Sequence, residues 1–133
     1  MTETGHGASC LCGAVRIRIS GKLRNVSNCH CGQCVKTHGH YAAYSAADDG
    51  KIEIDGEESI TWFRSSPMAR RAFCKVCGSQ LFWKADEAEY TSVAAGALDQ
   101  PTGLTSDVHI FVADKPDYYE IADGLPKFAQ DEG

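Results

Sequence analysis

No stretch of this chain stays apolar for the roughly 18 residues that a membrane helix needs. Positive charge is also short: 13 Lys and Arg against 18 Asp and Glu leave a net charge of −5. That is the wrong sign for a nucleic-acid partner, which calls for a basic surface. The opening MTETGHGAS has neither the basic segment nor the apolar core of a secretory signal, so the expected compartment is the cytoplasm. A long 3.6-residue period of apolar positions is missing too, which argues against a helical fold. Internal repeats, low-complexity tracts and linkers are absent. With 133 residues, 43% hydrophobic and 23% charged, the composition is that of one soluble globular domain.

What the chain does have is cysteine. Seven residues fall in three clusters: Cys10-x-Cys12, Cys29-x-Cys31-x-x-Cys34 and Cys74-x-x-Cys77. An odd number cannot all pair as disulfides. Spacings of one or two residues let thiolates converge on one point held by a tight turn, and a reducing compartment favours ligation over bridging. Zinc is the expected ion, being redox-silent and content with thiolate. Phe73-Cys74-Lys75-Val76-Cys77-Gly78 reads as a zinc knuckle, with Gly78 free to take the positive φ such a turn needs. A knuckle supplies two ligands and needs two more, either Cys10 and Cys12 or two members of the triplet. The second choice strands Cys10 and Cys12, so the first is preferred. Cys10, Cys12, Cys74 and Cys77 then form a closed structural site. Cys29, Cys31 and Cys34 form a three-thiolate site with one open position, the requirement for chemistry.

The rest of the chain alternates with a period of two. Val15, Ile17 and Ile19 against Arg16, Arg18 and Ser20 make a strand with one wet face. Further strands are expected over 23–28, 41–46, 51–55, 59–64, 69–74, 80–84, 90–95, 108–113 and 118–122, with a single helical turn over 35–39. Residues 1–7 read as a frayed tail, 8–128 as the zinc domain and 129–133 as an acidic tail. The class is mainly β.

Five histidines compete for roles. His30, between two cysteine ligands, is expected to point outward, because its neighbours take the ligand directions. His38 and His40 follow the triplet closely enough to contact metal or substrate. His109 alternates with Val108 and Ile110 and reads as a hydrogen-bonded structural histidine, and His6 sits in the tail. Lys36, Arg64, Arg70 and Arg71 are the cations available to an anionic ligand, each read singly as a solvated surface charge.

Together, Ala8–Val15, Cys29–Cys34 and Arg71–Leu81 resemble the glutathione-dependent formaldehyde-activating enzyme family, which also includes centromere protein V. Ala95–Asp99, His109-Ile110 and Ile121–Phe128 extend the resemblance in order, over about residues 8–128. Val35-Lys36 stands where relatives often carry arginine, and Tyr118-Tyr119 where they often carry tryptophan. The resemblance implies a β-tent fold of small antiparallel sheets. It also implies structural zinc on Cys10, Cys12, Cys74 and Cys77 and catalytic-type zinc on Cys29, Cys31 and Cys34. The implied activity is carbon–sulfur lyase, with S-hydroxymethylglutathione as model substrate and glutathione as co-substrate. Lys36, His38 and His40 are the expected contacts to this small-molecule thiol. Three thiolates give zinc a formal charge of −1, which favours sulfur exchange over water activation. The rival readings are a non-enzymatic zinc-stabilised binding module and a thiol metal store.

Overall fold

The computed structural model describes residues 5–131. Residues 1–4 and 132–133, parts of the two expected tails, lie outside the described residues. Among the described residues, ten strands and one short α-helix, with four 3-10 turns between them, follow in the order β1 (Gly5–Ser9), β2 (Arg16–Ser20), β3 (Val26–Cys29), α1 (Gly32–His38), β4 (Ala42–Asp48), β5 (Ile52–Asp55), β6 (Ile60–Ser66), β7 (Ala69–Cys74), β8 (Gln80–Ala85), β9 (Tyr90–Ala94) and β10 (Ser106–Ile110). They build a three-stranded sheet, β1-β2-β5, and a seven-stranded sheet, β10-β3-β4-β9-β8-β7-β6. Every pairing is antiparallel except β10 with β3. The fold is mainly β, as expected, with small sheets and two cysteine clusters.

Side-chain alternation decides what each sheet face does. In β2, Ile17 and Ile19 turn inward and Arg16, Arg18 and Ser20 outward. The inward pair joins Val15, Ala72, Leu81, Phe82 and Val93 in the main core, which unites the two sheets. On the seven-stranded sheet the neighbours of those residues face the other way. Tyr44, Ala42 and Ala94 form a second apolar cluster, with Trp83, Cys29, Cys31 and Cys34 packed on it. One face thus supplies stability and the opposite face receives the cysteine triplet.

Four local expectations change. The first strand begins at Gly5, inside the expected tail, because His6 pairs with Ile19 and Gly7 with Arg18. The helix starts at Gly32 rather than Val35, since Cys31 caps it by accepting from the Cys34 N–H. Residues 118–122 form no strand. The strand expected over 108–113 ends at Ile110, where left-handed Phe111 leads into a 3-10 turn at Val112–Asp114. The chain then returns as a strap bound to His109, Phe128 N–H to the His109 carbonyl at 2.9 Å and His109 N–H to the Pro126 carbonyl at 3.0 Å.

Candidate metal centres and active-site cleft

Among the described residues, ligand-type side chains converge in two groups, Cys10-Cys12-Cys74-Cys77 and Cys29-Cys31-Cys34, each with sulfurs within 4.8 Å of one another. Spacing favoured this same division. In the first group the turn after β1 meets the β7–β8 turn, and Cys12 Sγ lies 3.7 Å from Cys10 Sγ and 3.8 Å from Cys74 Sγ. A tetrahedron with Zn–S bonds of about 2.3 Å has sulfurs about 3.8 Å apart, so the donor set fits zinc in chemistry and size. Backbone amides hold the sulfurs: Val15 N–H donates to Cys10 Sγ at 3.3 Å. The Ser79 hydroxyl ties the two turns together, accepting from Leu11 N–H at 3.0 Å and lying 3.2 Å from Cys77 Sγ. That contact holds the Cys77 thiol down at about 5. Gly78 takes φ +83, the left-handed conformation expected of it.

The second group sits where β3 ends. Cys29 lies opposite Ala42 of β4 and Ile110 of β10, and Cys31 and Cys34 occupy the start of α1. Contacts with Cys29 and Cys34 pull the Cys31 thiol far below its ordinary range, and contacts with Cys31 and Cys34 push Cys29 up. All three cysteines line a cleft of about 830 Å³. Its floor is a row across the sheet, because the register sets Arg71 opposite Trp83 and Trp83 opposite Ser92. Tyr44, Arg24, Phe111 and Phe128 contribute to the walls.

Arg71 corrects the surface-charge reading. It is 4% exposed, because alternation along β7 turns it onto the cleft face while Ala72 enters the core. Its Nη2 donates to Cys34 Sγ at 3.5 Å and Gln33 Oε1 at 3.4 Å, and its Nη1 donates to the hydroxyls of Tyr44 and Thr37, both at 3.3 Å. Burial opposes the charge, yet the bond to Cys34 keeps the guanidinium firmly protonated.

The remaining expected contacts are scattered. His38 lies behind the cleft wall with Nε2 2.8 Å from the Tyr44 hydroxyl. Burial, with Arg71 nearby, lowers its pKa to about 4. His40 is exposed and stacks on Tyr119 at 3.9 Å between ring centroids. Lys36 is exposed on α1, and none of the three is among the residues lining the cleft. Arg64 pairs with Asp86, and Arg70 covers the Trp62 ring. His30 corrects the outward expectation: it is 0% exposed, with Nδ1 2.7 Å from the Tyr119 hydroxyl and Nε2 2.9 Å from His109 Nδ1. His109 is hydrogen-bonded as expected, its Nε2 also meeting Asp123 Oδ2 at 2.8 Å. Sequence reasoning missed Arg24, Tyr44 and Trp83 as cleft residues. The only signal was alternation, and that needs the sheet order to say which face is which.

Comparison with known proteins defines the class. The model of the glutathione-dependent formaldehyde-activating enzyme family matches residues 5–114, and the chain belongs to that family. A relative described as an uncharacterized lyase of Schizosaccharomyces pombe is 28% identical over 129 residues, covering 96% of this chain and 93% of the relative. A putative glutathione-dependent formaldehyde-activating enzyme of Halomonas elongata is 33% identical over 125 residues, covering 85% of this chain and 78% of the relative. The crystal structure of a Rhodobacter sphaeroides protein has a similar fold, with a TM-score of 0.62 at 22% identity over 73% of this chain and 91% of that one. No described helix is long and apolar enough to cross a membrane.

Proposed function

We propose that this protein is a zinc-dependent carbon–sulfur lyase acting on adducts of a thiol with a small aldehyde, with S-hydroxymethylglutathione as the model substrate. One observation carries the reading: three thiols converge at a cleft lined by a buried arginine. Cys10, Cys12, Cys74 and Cys77 would hold a structural zinc, and Cys29, Cys31 and Cys34 a second. Zinc held by the triplet would supply a Lewis-acidic position for one more sulfur. Arg71 offsets the negative charge that three thiolates concentrate, and so lowers the barrier to an incoming anionic thiol.

In the forming direction the thiol sulfur makes a bond to the aldehyde carbon, and the carbonyl oxygen takes up the proton. In the cleaving direction the adduct's hydroxyl gives up its proton, and the electrons of the C–S bond return to sulfur. The Tyr44 hydroxyl, which accepts from Arg71 and also meets His38 Nε2, would be a polar partner for that oxygen. Trp83 and Phe128 give the rest of a peptide thiol apolar surface to lie on, and Arg24 offers a cation to its carboxylate. Exchange NMR of isotopically labelled formaldehyde with glutathione tests the reading. Wild type is expected to speed exchange between free aldehyde and adduct, and Cys29→Ser to abolish the gain. Exchange no faster than in buffer sinks the lyase assignment and favours the binding module.

A further inference from the structure

We propose that Tyr119, His30, His109 and Asp123 form a positioning relay that holds the Cys29–Cys31 loop in ligand geometry. The proposal rests on the reading of the triplet as a metal site. Four groups from distant parts of the chain meet in line: the Tyr119 hydroxyl lies 2.7 Å from His30 Nδ1, His30 Nε2 lies 2.9 Å from His109 Nδ1, and His109 Nε2 lies 2.8 Å from Asp123 Oδ2. With both rings neutral, one assignment of protons satisfies the ring nitrogens, and the Tyr119 hydroxyl also lies 3.5 Å from the His40 carbonyl. Tyr119 donates to His30, His30 Nε2–H donates to His109, and His109 Nε2–H donates to the carboxylate, which can only accept. The two rings are 0% and 2% exposed, so protein partners satisfy all four ring nitrogens.

The placement gives this chain its role. His30 is the residue between two of the three triplet cysteines, and its backbone N–H is fixed to the Ile110 carbonyl at 3.0 Å. With the imidazole held at both nitrogens and packed on Tyr41, at 4.7 Å between ring centroids, its side-chain torsions have one setting. The backbone on either side then aims Cys29 and Cys31 at a common point without reorganisation. Outer groups that orient ligands in this way govern how tightly a site holds its ion. Tyr119 and Asp123 come from the C-terminal strap, beyond the residues 5–114 that the family model matches. Asp123 is itself anchored, its Oδ1 accepting from Leu125 N–H at 3.1 Å. The strap also brings Pro126 and Phe128 to the cleft wall, so a single segment shapes the cleft and fixes the ligand loop.

Cobalt(II) tests this with a signature that a purely structural role would not move. The full-length protein is loaded with Co²⁺, which is then withdrawn by a graded chelator while sulfur-to-cobalt charge-transfer absorption is followed. Wild type is expected to lose cobalt in two steps, with Cys29→Ser lacking the weaker one. Tyr119→Phe, which removes one oxygen and keeps the ring, and Asp123→Ala are expected to weaken that step by about tenfold to a hundredfold and leave the tighter step alone. Asp123→Asn, whose amide oxygen still accepts from His109, is expected to restore most of the loss. Variants that match wild type in the weaker step, or that only melt earlier, overturn the relay. A wild type that shows one step, unaltered by Cys29→Ser, overturns the metal reading itself, a different and distinguishable failure.

Discussion

Arg71 Nη2 lies 3.5 Å from Cys34 Sγ, and no carboxylate among the described residues pairs with that guanidinium. A buried cation without a counter-charge is costly, so the sulfur cluster is its partner and each stabilises the other's charge. Replacing Arg71 by Met removes the charge and keeps much of the bulk. Loss of a charge-assisted hydrogen bond of this kind is expected to weaken binding of an anionic thiol by roughly tenfold or more. Arg71→Lys, which keeps a point charge and loses the fork, should fall between. Titration calorimetry with glutathione measures both. Equal affinity in all three proteins would show that the cation serves only the packing.

The four-plus-three division of sulfurs predicts unequal consequences of losing one ligand. Binding energy at a closed site is also folding energy, so Cys74→Ser should cost the fold several kcal/mol, on the order of the whole stability of a small domain. Cys31→Ser should leave a folded protein, because the main core and the first centre do not depend on it. Thermal melts, with zinc counted per chain, decide the matter. Equal destabilisation by the two variants would reverse the assignment of structural and open sites.

Much of this was legible in the chain because cysteine spacing is local. A Cys-x-x-Cys followed by glycine carries its own turn, and the alternation of Ile17 and Ile19 with arginines carries its own face. Arg71 and His30 were not legible, for a shared reason. Each is polar and flanked by residues with stronger claims, so its direction depends on a partner far along the chain. Arg71 is buried because Gln33, Cys34 and Thr37 of α1 close over its guanidinium. His30 is buried because the strap returns Tyr119 to its ring and Asp123 to His109. The expected strand over 118–122 fails because alternation there finds no neighbouring strand to pair with, and the Tyr119 carbonyl accepts from Lys115 Nζ instead. Lys36 and His40 follow the triplet closely, yet α1 turns Lys36 to solvent and the chain after it carries His40 towards Tyr119, away from the cleft.

Gly56 predicts a stability effect away from both centres. It takes φ +93, and a Cβ there would meet the Ala14 carbonyl oxygen at 2.0 Å. Backbone cannot move aside as a flexible side chain would, and the left-handed conformation itself costs an L-residue about 1–2 kcal/mol. Gly56→Ala should therefore lose about 2–4 kcal/mol, or roughly 6–20 °C in melting temperature for a domain of this size. Because Ala14 follows the Cys10–Cys12 turn, zinc retention at the first centre should weaken alongside. A melting curve within a degree or two of wild type would show that the β2–β5 corner is softer than its packing suggests.

Arg24 supplies the last prediction, which separates recognition of a peptide thiol from recognition of any thiol. Its guanidinium is fixed in the cleft wall, Nη2 donating to the Tyr44 carbonyl at 3.0 Å and Nε to the Asn25 carbonyl at 3.2 Å. The protein is acidic overall, so long-range fields repel glutathione, and affinity must come from cations close to the bound ligand. Arg24→Ala is expected to weaken glutathione binding severalfold to tenfold, and added salt should narrow the difference from wild type. A small neutral thiol such as 2-mercaptoethanol has no carboxylate to lose, so its binding should be the same in both proteins. Cys29→Ser, by contrast, should weaken both ligands together, because it removes the sulfur site they share. Calorimetry across these three proteins and two thiols gives the full set. If Arg24→Ala reduces both thiols alike, its role is to shape the wall. If it reduces neither, Arg24 does not hold the carboxylates of glutathione.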